Sequence, residues 1–75
     1  MMIDEAFIGS DLFFSLPLSV QLLYFHLVAR ADNDNYLHNP LAICRLVDAS
    51  EEDYKILFDM KIIAKAKDFG IIIIK

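Results

Sequence analysis

Apolar residues return at Leu16, Val20, Leu23, Leu27 and Ala31, the four- and three-residue steps of one helix face. Pro17 suits a helix start, where its missing N–H costs nothing, so a helix is predicted over residues 17–31. Leu22, Phe25 and Ala29 fill most of the opposite side and only Ser19, Gln21, His26 and Arg30 are polar. Such a helix is expected to be surrounded on most sides and to form the spine of the fold. Before it, Ser10 is placed to cap a short helical turn over about residues 10–15, whose Leu12, Phe13 and Phe14 should pack inward.

After the spine, the run Ala31-Asp32-Asn33-Asp34-Asn35 stops the helix, because Asp and Asn favour turns and Asn tolerates the left-handed region. Tyr36 and Leu37 read as a very short strand. Asn39 as N-cap and Pro40 as first residue open a second helix over residues 40–47. Asp48-Ala49-Ser50 is a turn, and Ser50 with Asp53 makes a shortened capping box for a third helix over residues 51–60. Glu51, Glu52 and Asp53 suit its positive end, and Ile56, Leu57 and Met60 give its buried stripe. Two helices joined by a three-residue turn make a helix-turn-helix.

Residues 61–75 then read as a β-hairpin. Lys65 and Lys67 alternate with Ala64 and Ala66, Asp68-Phe69-Gly70 turns with Gly70 expected at positive φ, and Ile71 to Ile74 return. Four β-branched residues in an open edge are an aggregation hazard. That strand is therefore expected to pair with the hairpin on one side, and with Tyr36–Leu37 or another chain on the other. The order predicts an α+β winged helix-turn-helix domain over residues 1–75, with three main helices, a short strand and a two-stranded wing.

Composition adds a partner to this picture. Hydrophobic residues make up 57% of the 75-residue chain, above the about 45–50% of ordinary soluble domains. A chain this small is short of core, and association commonly supplies the rest, so a homo-oligomer or partner-bound domain is expected. Cys44 is the single cysteine, which excludes an internal disulfide, and its apolar neighbours mark it as a buried small residue. The start MMIDEAF carries acids where a signal peptide carries Lys or Arg, and the longest apolar stretch, residues 22–29, is broken by His26. A soluble, cytoplasmic protein without a membrane partner is expected.

Charge is polarised along the chain. The net charge is −4, made of −7 over residues 1–54 and +3 over residues 55–75. The basic stretch supplies the DNA-contact candidates Lys55, Lys61, Lys65, Lys67 and Lys75. The apolar excess supplies the interface candidates Phe13, Phe14, Ile71, Ile72, Ile73 and Ile74. Catalysis is not expected: His26 reads as part of the spine helix, His38 as an exposed loop residue, and neither stands near a nucleophile in the sequence. No phosphate-cradling glycine loop and no metal-ligand spacing is present, and the Asp/Asn run lacks the glycine and terminal glutamate of a calcium loop. Neither metal nor cofactor is expected.

The run SDLFFSLPLSVQLLYFHLVARADNDNYLHNP, with DASEED and the isoleucine hairpin, resembles the N-terminal winged helix domain of bacteriophage replisome organisers. These are replication-initiation proteins related to DnaD-like primosome components. PLSVQLLYFHL, the AD-x-D turn and Asn39-Pro40 carry the resemblance most specifically. It implies a module of the initiation complex in a bacterial host cell, often oligomeric, whose partners are origin DNA or the replication-initiation and helicase-loading proteins. The chain departs from the family pattern in having Asn35 and Asp48 where glycines are usual, and Leu41 and Ala42 where lysines commonly follow Asn-Pro. Family members also continue past the wing, so the chain is expected to be a truncated piece or a stand-alone remnant.

In a helix-turn-helix the second helix presents its first residues to the bases. Here these are Glu51, Glu52 and Asp53, which oppose a polyanion. The expected activity is therefore protein association in replication initiation, with DNA contact led by the wing lysines as a second route. The alternative is a winged helix transcriptional regulator.

Overall fold

A computed structural model describes residues 4–75; residues 1–3 of the domain expected over 1–75 lie outside the described residues. In chain order the elements are α1 (Glu5–Ile8), α2 (Asp11–Ser15), α3 (Leu18–Arg30), β1 (Tyr36–Leu37), α4 (Pro40–Leu46), α5 (Glu51–Asp59), β2 (Ile63–Lys65), a 3-10 turn (Lys67–Phe69) and β3 (Ile71–Ile73). The chain is a small α+β domain of winged-helix type, with α3, α4 and α5 as its main helices and an antiparallel β2–β3 hairpin as its wing. Among the described residues, no helix is long and apolar enough to cross a membrane.

Helix α3 is the spine. Val20, Leu23, Leu27 and Leu16 are buried, together with Tyr24 and Val28 on the same side. The other side is not enclosed as the sequence pattern suggests. Leu18 is 81% exposed and Leu22 52%, and Ala29 faces solvent. The remaining elements all pack on one flank, because a single sheet of two- and three-residue strands is too small to wrap the helix. Pro17 occupies the N-cap position rather than the first helical residue.

One short helix escapes the periodicity. In α1, Asp4 caps the backbone N–H of Phe7 at 3.1 Å and delivers Phe7 to the core. Ser10 caps α2 through the N–H of Phe13 at 3.2 Å. Phe7, Phe13, Tyr24 and Phe25 then meet edge-to-face with ring centroids 5.3 to 5.6 Å apart, a geometry favoured by the ring quadrupoles. Phe14 turns the other way and is 68% exposed, contrary to the inward packing expected of the whole triplet.

The sheet order is β1-β3-β2, so the isoleucine strand is central. Ile72 faces Tyr36 on one side and Ala64 on the other. Pairing with β1 thus removes the open edge within the chain itself. Ile71 and Ile73 enter the core beside Leu37, Leu57, Ile62 and Ile63. The Tyr24 hydroxyl, itself buried, donates to the Lys75 carbonyl at 2.7 Å and ties the end of the hairpin to the spine.

The turn at residues 67–70 differs from expectation in one respect. Positive φ falls on Asp68 (55°) and Phe69 (62°), whereas Gly70 is extended at φ −83°. Asn35 does take the left-handed conformation, at φ 62°.

Candidate functional site

Helix α5 is the second helix of the helix-turn-helix, and local bonds fix both of its ends. Ser50 Oγ accepts from the Asp53 N–H at 3.0 Å, while Asp53 Oδ2 accepts from the Ser50 N–H at 3.3 Å. This is the reciprocal capping box read from the sequence. Asp53 Oδ1 additionally accepts from Ser19 Oγ at 2.9 Å, which ties the start of α5 to α3. One of the three carboxylates is therefore committed to structure, and Glu51 and Glu52 face solvent.

At the other end, the Lys61 N–H bonds the Phe58 carbonyl and the Ile62 N–H bonds the Leu57 carbonyl, both at 3.0 Å. With Lys61 at φ 59°, this is a Schellman closure. It turns the chain directly into β2 and sets the wing beside α5. Met60, expected in the buried stripe, lies at this corner and is exposed; Leu57 carries the burial and Ile56 shares it. Asn39 occupies the N-cap of α4 without a side-chain bond to that helix.

Between α5, α4 and the wing lies an open groove of about 590 Å³. Its apolar lining comes from Leu41, Tyr54, Phe58, Phe69 and Ile71. Tyr54 and Phe58, one helical turn apart, meet edge-to-face at 5.0 Å. Burial of the Tyr54 ring pushes its phenol up to about 12, with the neighbouring Cys44 adding to the rise. Leu41 is 54% exposed and Phe69, at the wing tip, 98%. A second hollow of about 240 Å³ shares Leu41 and Tyr54 and runs on to Arg45, Ala49, Ser50 and Glu51. Sharing these residues, the two form a trough from wing tip to helix-turn-helix turn, apolar along its floor and carrying one charge of each sign, Arg45 and Glu51, at its far end.

The lysines proposed for DNA contact do not converge in the same way. Lys65 and Lys67 are exposed at the wing tip, and Lys67 Nζ lies 5.9 Å from the Tyr36 ring centroid. Lys61 and Lys75 stand at the opposite end of the hairpin, where the Lys75 N–H approaches the Ile62 carbonyl. Lys55 is paired with Asp59 at 2.8 Å within α5. The basic stretch of sequence thus becomes a two-lysine tip, a separate base and an internally satisfied helix lysine.

The apolar interface candidates also divide. Phe13, Ile71 and Ile73 belong to the core, so they line no outer surface apart from the Ile71 contribution to the groove floor. Ile72 is half-buried, and Phe14 and Ile74 are exposed. The groove residues Leu41, Tyr54, Phe58 and Phe69 were not among the candidates. Phe69 gave one readable signal, an aromatic at a turn tip with no apolar partner in register.

The remaining polar groups of the helices and the aspartate-rich turn make local contacts. His26 Nδ1 lies 3.1 Å from Arg30 Nη1, which also donates to the His26 carbonyl at 3.1 Å. Burial raises the Cys44 thiol above its ordinary range, and its thiolate fraction falls accordingly. In the aspartate-rich turn, Asp32 Oδ1 accepts from the N–H groups of Asp34 and Tyr36 at 2.8 and 3.0 Å. Among the described residues, no group of three or more His, Cys, Asp or Glu side chains is gathered to hold a metal ion. No family model matches the chain, and neither does any curated protein or solved structure.

Proposed function

We propose that this domain is a non-catalytic association module of a replication-initiation assembly in a bacterial cytoplasm, binding a partner protein in the trough between α5 and the wing. The observation that carries this reading is the chemistry of the trough. Leu41, Tyr54, Phe58 and Phe69 present an apolar lining, with Lys65 and Asp68 at the wing end and Arg45 and Glu51 at the far end. Phosphate contacts from Lys and Arg supply most of the affinity for duplex DNA, and on this face Lys65 and Arg45 are each offset by a carboxylate, Asp68 and Glu51. A partner segment with aromatic or aliphatic anchors satisfies the apolar floor of the trough. Replication initiation as the process rests on the resemblance carried by PLSVQLLYFHL and Asn39-Pro40.

Calorimetric titration against purified initiation and helicase-loading proteins of the bacterial host tests the reading. Saturable binding is expected with the wild-type chain, and its loss with Leu41→Ser/Phe69→Ser, whose two side chains are exposed and leave the core intact. Binding that ignores both substitutions, or its absence across these proteins, would overturn the assignment.

A second reading has one observation of its own. Lys65 and Lys67 are exposed together at the wing tip and form a small basic end that meets phosphate without involving α5. DNA binding of that kind would be weak, uniform across sequences and steeply dependent on salt.

A further inference from the structure

We infer that Phe69 is the anchor of the protein contact, a rigid aromatic knob that enters an apolar, carboxylate-rimmed socket on the partner. The anchor role rests on the reading of the trough as a protein-binding surface. The fold by itself gives no reason for phenylalanine at this position. Its ring is 98% exposed, so the core gains nothing from it. Its backbone stands at φ 62°, directly after Asp68 at φ 55°, and the Gly70 N–H closes the turn on the Lys67 carbonyl at 2.9 Å. Two successive positive φ values mark the mirror-image hairpin turn, which favours Asn or Asp first and glycine second. Asp68 suits the first position; a bulky side chain in the second is a backbone outlier. The glycine of this turn stands one place later, at Gly70, where Tyr36 leaves no room for a Cβ. Phe69 thus strains the backbone and returns no burial, and a residue set against both points to a role outside the fold.

The knob is held ready for contact. Tyr36 Oη donates to the Lys67 carbonyl at 3.1 Å, and the Ala66 N–H donates to the Gly70 carbonyl at 2.9 Å. Gly70 itself is buried against Tyr36. The turn that carries Phe69 is therefore ordered before a partner arrives, which lowers the entropy lost on binding.

Charge and continuity select the partner. Lys65, Lys67 and Asp68 are exposed around the ring and give the tip a charge of +1, on a chain of net charge −4 whose other residues therefore sum to −5. A socket with an acidic rim is drawn to the tip and held off the rest of the surface. Nucleic acid is negative as well, but single strands are bound on successive aromatic faces. Here the neighbouring ring, Tyr36, is half-buried and has Lys67 Nζ 5.9 Å from its centroid. On its other side Phe69 continues into the apolar lining of Leu41, Tyr54 and Phe58. A stacked base leaves that lining bare, whereas a folded partner covers it around the knob, as weaker contacts surround a central anchor.

Phe69→Gly and Phe69→Asn separate this role from a structural one, since both residues accept the left-handed backbone and neither carries the ring. Urea unfolding should show Phe69→Gly to be the more stable protein, its folded-to-unfolded ratio raised about fivefold. The binding probe is the host initiation or helicase-loading protein that binds the wild-type chain in calorimetric titration. Both variants should bind it roughly thirtyfold more weakly, and Lys65→Gln/Lys67→Gln should bind a few-fold more weakly with a flatter salt dependence. A less stable Phe69→Gly protein, or full affinity in both variants while Leu41→Ser loses it, would overturn the anchor and leave the trough reading in place. Binding to oligothymidylate that both variants lose would make Phe69 a base-stacking residue and overturn the protein socket. A wild-type chain that binds none of these proteins would remove the trough reading and the anchor with it.

Discussion

Gly70 lies so close to Tyr36 that a Cβ placed on it would stand 2.6 Å from Tyr36 Cε1 and 2.7 Å from the Leu37 carbonyl oxygen. The glycine backbone is extended, so its φ gives no reason for glycine there. The reason is the approach of β1 to the wing, reinforced by the bond from Tyr36 Oη to the Lys67 carbonyl at 3.1 Å. Gly70→Ala should therefore destabilise the domain by about 1–3 kcal/mol, the range for forcing a group into filled space. Urea unfolding measures it, and loss of amide protection confined to β1 and the wing would locate it.

Two helix ends carry the wrong residue for their backbone. Lys61 and Asp48 both take the left-handed conformation, at φ 59° and 58°, to close Schellman motifs after α5 and α4. A side chain in that conformation costs on the order of 1 kcal/mol relative to glycine. Lys61→Gly and Asp48→Gly should each raise stability by about 0.5–1 kcal/mol, Asp48→Gly by more because it also removes a carboxylate from the negative end of α4. Thermal unfolding of the two single variants and the double variant checks both the sign and the additivity.

Asp53 serves two partners at once, the Ser50 N–H and the Ser19 hydroxyl. Asp53→Ala removes half of the capping box and the tie between α5 and α3, and should cost about 1–2 kcal/mol. Ser19→Ala isolates the tie and should cost less. A double-mutant cycle by urea unfolding separates the two contributions.

Alkaline pH should loosen the fold through Tyr54. Its phenol ionises near 10.0 in the unfolded chain and at about 12 in the folded one, because burial opposes the phenolate. Between those values the unfolded state has lost more protons, so stability falls as pH rises. The contribution is complete below pH 10 and lost by about pH 12. Tyr24, also raised by burial and by the nearby Asp4 carboxylate, acts in the same direction. Urea midpoints across this range should fall less steeply in Tyr54→Phe than in the wild-type chain.

What could be read from the sequence was local. Ser50 with Asp53 announced a capping box because both partners lie within one helical turn, and Asn35 announced a left-handed residue because its side chain tolerates one. The place of Ile71–Ile73 at the centre of the sheet depends on a pairing between residues 36 and 72, which no window contains. Gly70 was legible as a special position but for a local reason, when its cause is the distant Tyr36. Helix α1 has four residues, too few for a period to appear. The trough failed for the same reason as the sheet: Leu41, Tyr54, Phe58 and Phe69 belong to three elements, and only the helix-turn-helix and wing bring them together.

The most direct measurement is a salt-dependent titration of double- and single-stranded oligonucleotides by fluorescence anisotropy, on the wild-type chain and on Lys65→Glu/Lys67→Glu. With an apolar, charge-balanced face beside α5, no saturable binding is expected even at low salt, and the two proteins should behave alike. Tight, saturable binding that weakens steeply with salt and disappears in the double variant would contradict the association reading and make the wing a DNA-contacting element.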